Sequence, residues 1–204
     1  MKKLIMIVLL IATVITLASP IAFAATASAG PYAVSATVDS ALSMEVVLKK
    51  NDSAGAIVTD MNFGNLVDIG TGTLRSSATS TTGTGAVVAF ITTNSHGLPY
   101  TVKQSGQPLW NSSTSLPSGA CTVVPVYAEA DNGGDAQPSG ASIGTAGSWV
   151  GDRTIYTSET AGTMKTIQAI YSITDDAAAG ATDSVSLSQA GGNYSGAVII
   201  TVTT

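Results

Sequence analysis

The sequence predicts an all-β fold, a single antiparallel sandwich or barrel. Three observations carry that prediction. Several runs alternate apolar and polar residues with period two, as half-buried strands do. Clusters of Gly, Ser, Asn, Asp and Pro separate those runs at short, regular intervals. Charged residues make up only 10% of the chain. Ser, Thr, Gly, Ala and Val dominate instead, so the Lys and Glu runs of solvent-facing helices are missing.

The elements follow in chain order. Lys2 and Lys3 give a positive start, Leu4 to Leu17 an apolar run, Pro20 a break, and Ala22-Phe23-Ala24 a small-x-small site. Residues 1–24 therefore read as a secretory signal peptide with cleavage before Ala25. The apolar run is shorter than the ~20 residues a spanning helix needs. No later segment is long and apolar enough to cross a bilayer, so no membrane span is expected after signal cleavage. Residues 25–38 form an amino-terminal extension, in which "YAVSATV" sets Tyr32, Val34, Ala36 and Val38 on one face. Residues 39–204 form the sandwich, with no linker to divide it; about 180 mature residues suffice for one real core.

Within that domain "LSMEVVL" sets Leu42, Met44, Val46 and Leu48 on one face. "AIVTDMNFGNL" carries Ile57, Val58, Met61 and Phe63. "GAVVAFITTN" is apolar on both faces, as a central strand is. "YTVKQ" and "CTVVPVYAEA" follow. "TIQAIYSIT" aligns Ile167, Ala169, Tyr171 and Ile173, and the last strand aligns Val198, Ile200 and Val202 with Tyr194. "SVSLS" is short. No helix is expected beyond one turn in "SETAGTM". Residues 105–163 read as the least regular region, with long loops at a sandwich edge.

Composition excludes several functions. The chain holds eight basic and thirteen acidic residues, a net charge of −5. Loss of Lys2 and Lys3 with the leader leaves six basic residues. An acidic chain without basic clusters is a poor partner for nucleic acid or anionic lipid. The single cysteine, Cys121, allows no internal disulfide. It reads as a small buried hydrophobe at a strand start, with an intermolecular bridge as the alternative.

The catalytic inventory is nearly empty. "GASIG" matches G-x-S-x-G around Ser142, but its flanks are loop-like and the only histidine, His96, precedes it; a nucleophile elbow needs a strand-to-helix turn and a later histidine. His96 lies in the turn "TNSHGLPY", and one His with one Cys cannot build a zinc site. "DNGGD" and "TDDAAAGATD" lack the spacing of a calcium loop. The chain is thus expected to be no enzyme and to carry no cofactor. Trp110 and Trp149 lie in the irregular region, where Trp either covers a core or stacks on a sugar.

The two ends of the mature chain are more informative. "GGNYSGAVIITVTT" ends on an apolar strand whose outer edge is left to be paired, and such edges invite other chains. At the start, "ATASAGPYAVSATV" has a small-residue lead and then alternating apolar positions. One segment reads as a strand to give, the other as an edge to receive it.

The order "MNFGNL", "GAVVAFITTNSHGLPYTVKQ" and "GGNYSGAVIITVTT" resembles the spore-coat-U-like, archaic chaperone–usher pilin subunits. Those carry a Phe-Gly near the second strand, a V-x-x-T/C-x-N-x-x-x-P-Y-x-V strand, and a closing Gly-x-Tyr-x-Gly/Asp-x-Val-x-Val-x-Val strand. They also commonly carry a cysteine pair that Ala41 to Met44 and Ile91 to Asn94 lack here. The resemblance implies an immunoglobulin-like sandwich, completed by a strand donated from a neighbour. It implies a pilus, fimbria or spore-coat-like surface fibre built of copies of this chain or related subunits. Its implied helpers are a periplasmic chaperone and an outer-membrane usher. Residue by residue, the donor role falls on Tyr32, Val34, Ala36 and Val38, and one groove wall on Val198, Ile200 and Val202. Burying such anchors is worth roughly 5–9 kcal/mol before ordering costs. The residues alone leave a second reading open. The first strand pairs with its own last strand, and the monomer holds a glycan through the 105–163 loops with Trp110, Trp149, Tyr127 and Asp131.

Overall fold

The long alternating and apolar runs become the central strands, because β-branched and aromatic side chains fit a pleated, half-buried surface. The computed structural model describes residues 26–29, 32–36, 42–50, 55–68, 70–76, 85–128 and 137–204. Its strands are β1 (Thr26–Ala29), β2 (Tyr32–Ala36), β3 (Ser43–Lys50), β4 (Ile57–Val58), β5 (Leu66–Asp68), β6 (Thr73–Ser76), β7 (Val87–Asn94), β8 (Thr101–Gly106), β9 (Cys121–Tyr127), β10 (Ser142–Ile143), β11 (Gly147–Ser148), β12 (Gly151–Thr157), β13 (Lys165–Ile173), β14 (Val185–Ser186) and β15 (Val198–Thr203). Among the described residues the helical content is two short 3-10 turns, Ser118–Ala120 and Ala177–Ala179. The expected all-β architecture holds. The expected signal peptide and Val38 lie outside the described residues.

Two six-stranded sheets form the body, in the orders β1-β2-β15-β8-β12-β10 and β11-β9-β13-β7-β3-β4. A three-stranded sheet, β14-β6-β5, stands beside them. Every pairing is antiparallel except that of β15 with β2. The core lies between the two large sheets. Val102, Ile155, Tyr156, Val198, Ile200 and Val202 of one meet Leu48, Val87, Ile91, Val123, Ile167 and Tyr171 of the other. β7 and β13 sit in the middle of their sheet, and nearly all their residues are buried. The two-faced apolar pattern predicts this for β7, whereas β13 is read as one-faced and buries Thr166, Gln168 and Ser172 as well.

The strand registers define two poles. At the upper pole β3, β8 and β13 begin and β7, β12 and β15 end; the lower pole holds the opposite ends. The sheets are tied at the upper pole, where Tyr100 Oη donates to the Thr163 carbonyl, and across the middle, where Tyr171 Oη of β13 donates to Gln104 Oε1 of β8.

The described part of residues 105–163 is more regular than expected. It contains β9 and β12, each of seven residues. In β12 the register shifts between Thr154 and Tyr156. That bulge turns both Ile155 and Tyr156 inward, at 0% exposure each, and breaks the alternation that marks a strand in a sequence. "AIVTDMNFGNL" departs the other way: only Ile57–Val58 and the closing Leu66, which opens β5, are strand, and Phe63 is buried from a loop.

Candidate functional site

The last strand presents its apolar residues as a single row. Val198, Ile200 and Val202 alternate along β15 and are all buried against the core. One edge of β15 pairs with β8 from Val198↔Gly106 to Thr203↔Thr101. The other edge is covered by β2, running parallel, with Ile200 opposite Val34, Thr201 opposite Ser35 and Val202 opposite Ala36. β1 then folds back on β2, with Ala29 opposite Tyr32. β2 also approaches β3 of the facing sheet. The backbone of the expected donor segment therefore lies beside the expected acceptor strand, within one chain.

A cleft of about 800 Å³ opens at the lower pole, beside the start of β15. Its walls are residues 60–67 and 189–196, and its floor is Leu74, Leu109, Leu116 and Ile173. The walls contain all of "MNFGNL" and all of "GGNYSG", two motifs far apart in the chain. Each wall is braced from within. Asn62 Oδ1 accepts from the Gly64 N–H at 2.8 Å. Gln189 Nε2 donates to Tyr194 Oη at 2.9 Å, and Tyr194 Oη donates to the Ala190 carbonyl at 2.6 Å. Asp60 is the one charged residue in the lining. Sequence reasoning marked these motifs as family signals but did not foresee that they meet.

The remaining candidates separate. Trp149 is buried between Phe63 and Tyr171, whereas Trp110 is 53% exposed at the lower pole, bridged to Ser195. The two tryptophans form no common platform. Tyr127 packs edge-on against Tyr156, with ring centres 6.1 Å apart, and Asp131 lies outside the described residues. Ser142 is exposed at the start of β10 and no helix follows it, so it has no elbow geometry. His96 is an exposed turn residue with φ of 52°. Cys121 is fully buried at the first position of β9, and burial pushes its thiol up to about 12. A thiol so placed is protonated and shielded, the opposite of a reactive one.

No helix among the described residues is long and apolar enough to cross a membrane. No group of three or more His, Cys, Asp or Glu residues among them is arranged to hold a metal ion. No family model, curated protein or solved structure matches the chain.

Proposed function

We propose that the chain is an exported structural subunit that assembles into a surface fibre by passing residues 25–38 from one copy to the next. The observation that carries this reading is the attachment of β2. Three parallel register pairs hold it to β15, against six antiparallel pairs on the other side of β15 and eight between β3 and β7. Parallel pairing is slightly weaker per residue. Release of β2 bares the edge of a strand whose inner face is Val198, Ile200 and Val202, and a bare apolar edge recruits another strand.

Topology gives exchange a direction. β2 ends and β3 begins at the upper pole, so a released strand stays tethered there. In a neighbour stacked above in the same orientation, it enters from the lower pole. It then runs antiparallel to that copy's β15, the stronger pairing. Repetition is head to tail and does not close, which makes a filament. An export chaperone that covers the edge in transit, and an outer-membrane usher, are the partners this reading implies.

Deletion of residues 25–38 tests it. The mature chain should form filaments visible by electron microscopy. The shortened chain should stay soluble, unpolymerised and less stable, and should bind a synthetic 25–38 peptide. Ordered filaments from the shortened chain would refute the donor assignment. Failure of the shortened chain to fold at all would make β2 the subunit's own first strand.

A further inference from the structure

We infer that the lower-pole cleft is a docking socket for the upper pole of the preceding copy, seated around Leu98 and Met164. This rests on the proposed polymerisation and adds a second contact to it. Leu98 and Met164 are 46% and 55% exposed, although both sit on tightly built loops of the upper pole. Ser95 Oγ lies 2.5 Å from the Leu98 carbonyl and 2.8 Å from the Gly162 carbonyl, and so clasps the two loops. The Tyr100 N–H donates to Ser158 Oγ at 2.8 Å, a second clasp. Gly162 has φ of 56°, and a Cβ there would collide with the Leu98 carbonyl, so only glycine lets the loops meet this closely. A large apolar pair held out on such a frame is a presented surface rather than a frayed end.

The socket matches it in place and in chemistry. The cleft lies at the opposite pole, beside the residues that lead into β15. A strand that leaves the upper pole of one copy to enter along β15 of the next brings that upper pole onto this cleft. The floor is aliphatic, Val67 on the rim is 40% exposed, and only Asp60 is charged. An apolar knob therefore meets no unpaired charge except at the margin. The two surfaces differ and stand at opposite ends, as a head-to-tail interface requires.

Disulfide trapping in the mature chain tests the contact. Leu98→Cys is combined with Val67→Cys, and as a control with Lys103→Cys, an exposed site on the outer face of β8. Buried Cys121 does not compete. The 98/67 pair should give a ladder of disulfide-linked multimers during polymerisation, and the control none. Leu98→Asp with Met164→Asp should slow filament growth roughly tenfold or more, the scale of losing one buried anchor, and leave monomer melting unchanged. Filaments that require residues 25–38 but show neither the ladder nor the slowing would overturn the socket and leave strand exchange standing. A parent chain that never polymerises would overturn both.

Discussion

Trp149 shows how much of this fold depends on shape rather than on polar contacts. Its ring lies stacked 6.2 Å from Phe63 and edge-on 6.4 Å from Tyr171. Gln104, buried on β8, ties the same spot together: its Nε2 donates to the Trp149 carbonyl at 2.8 Å, and its Oε1 accepts from Tyr171 Oη at 2.7 Å. Gly106 lies directly against the Trp149 backbone, where any Cβ would collide. The indole Nε1, by contrast, has no hydrogen-bond partner among the described residues. Trp149→Ala should therefore cost about 3–5 kcal/mol, the usual range for emptying a large aromatic site. Trp149→Phe should cost much less, because it keeps the stacked face and abandons no hydrogen bond. Urea midpoints of the two variants check this; equal losses would mean that the indole N–H is bonded after all. None of this was legible in the sequence. A tryptophan outside any periodic run more often covers a core than a ligand, and only the facing sheet shows which of Trp110 and Trp149 does so.

At the scale of elements, the body and the amino-terminal hairpin should differ in how readily they open. β7 and β13 are flanked by strands on both edges and buried on both faces. β1 has one neighbour, and β2 joins the sheet through three parallel pairs. Local opening follows such differences in contact and edge pairing. Hydrogen exchange should thus find the amides of β7 and β13 opening only with global unfolding, and those of β1 and β2 opening well before. The outer edge of β15 should lose protection together with β2. Equal protection across all four strands would argue against a displaceable hairpin. Legibility follows the same line. β7 announced itself through an unbroken apolar run, β13 through its alternating row of Ile167, Ala169, Tyr171 and Ile173, and the covered strand β15 through its row of Val and Ile. β12 did not, because its bulge puts Ile155 and Tyr156 on one side. Of the small sheet only β14 showed, within "SVSLS"; β5 and β6, of three and four residues, are too short to show a period. The cleft was out of reach for a different reason: its two walls meet only through tertiary packing.

For the molecule as a whole, the arrangement of titratable groups bounds the pH range of the fold from both sides. Asp175 follows β13 and receives the Thr73 hydroxyl at 2.6 Å, and it pairs with Arg75; both partners come from β6. The Thr73 hydrogen bond, with Arg75 behind it, holds the carboxyl below its ordinary value. The side chain and the N–H of Thr163 do the same for Glu159. A carboxyl lowered by folding adds stability above its unfolded value, near pH 4, and that stability is lost as pH falls through the lowered value. On the alkaline side, burial pushes Tyr156 up to about 12, and pushes Tyr100 and Tyr171 higher still. The neutral phenol is then the form the fold accepts. Its contribution is complete below pH ~10, where the unfolded phenol begins to ionise, and is lost as pH rises toward the folded value. Melting temperature should therefore hold a plateau between about pH 5 and 9 and fall on both sides. Asp175→Asn should lower the plateau and flatten the acid limb, since the variant has no proton left to gain at that site. Tyrosinate absorbance should rise together with loss of strand circular dichroism, because Tyr171 is fully buried and cannot ionise in place. Ionisation of every tyrosine well before unfolding would show that the space between the sheets is open to water, and that Tyr171 is not sealed there as its full burial requires.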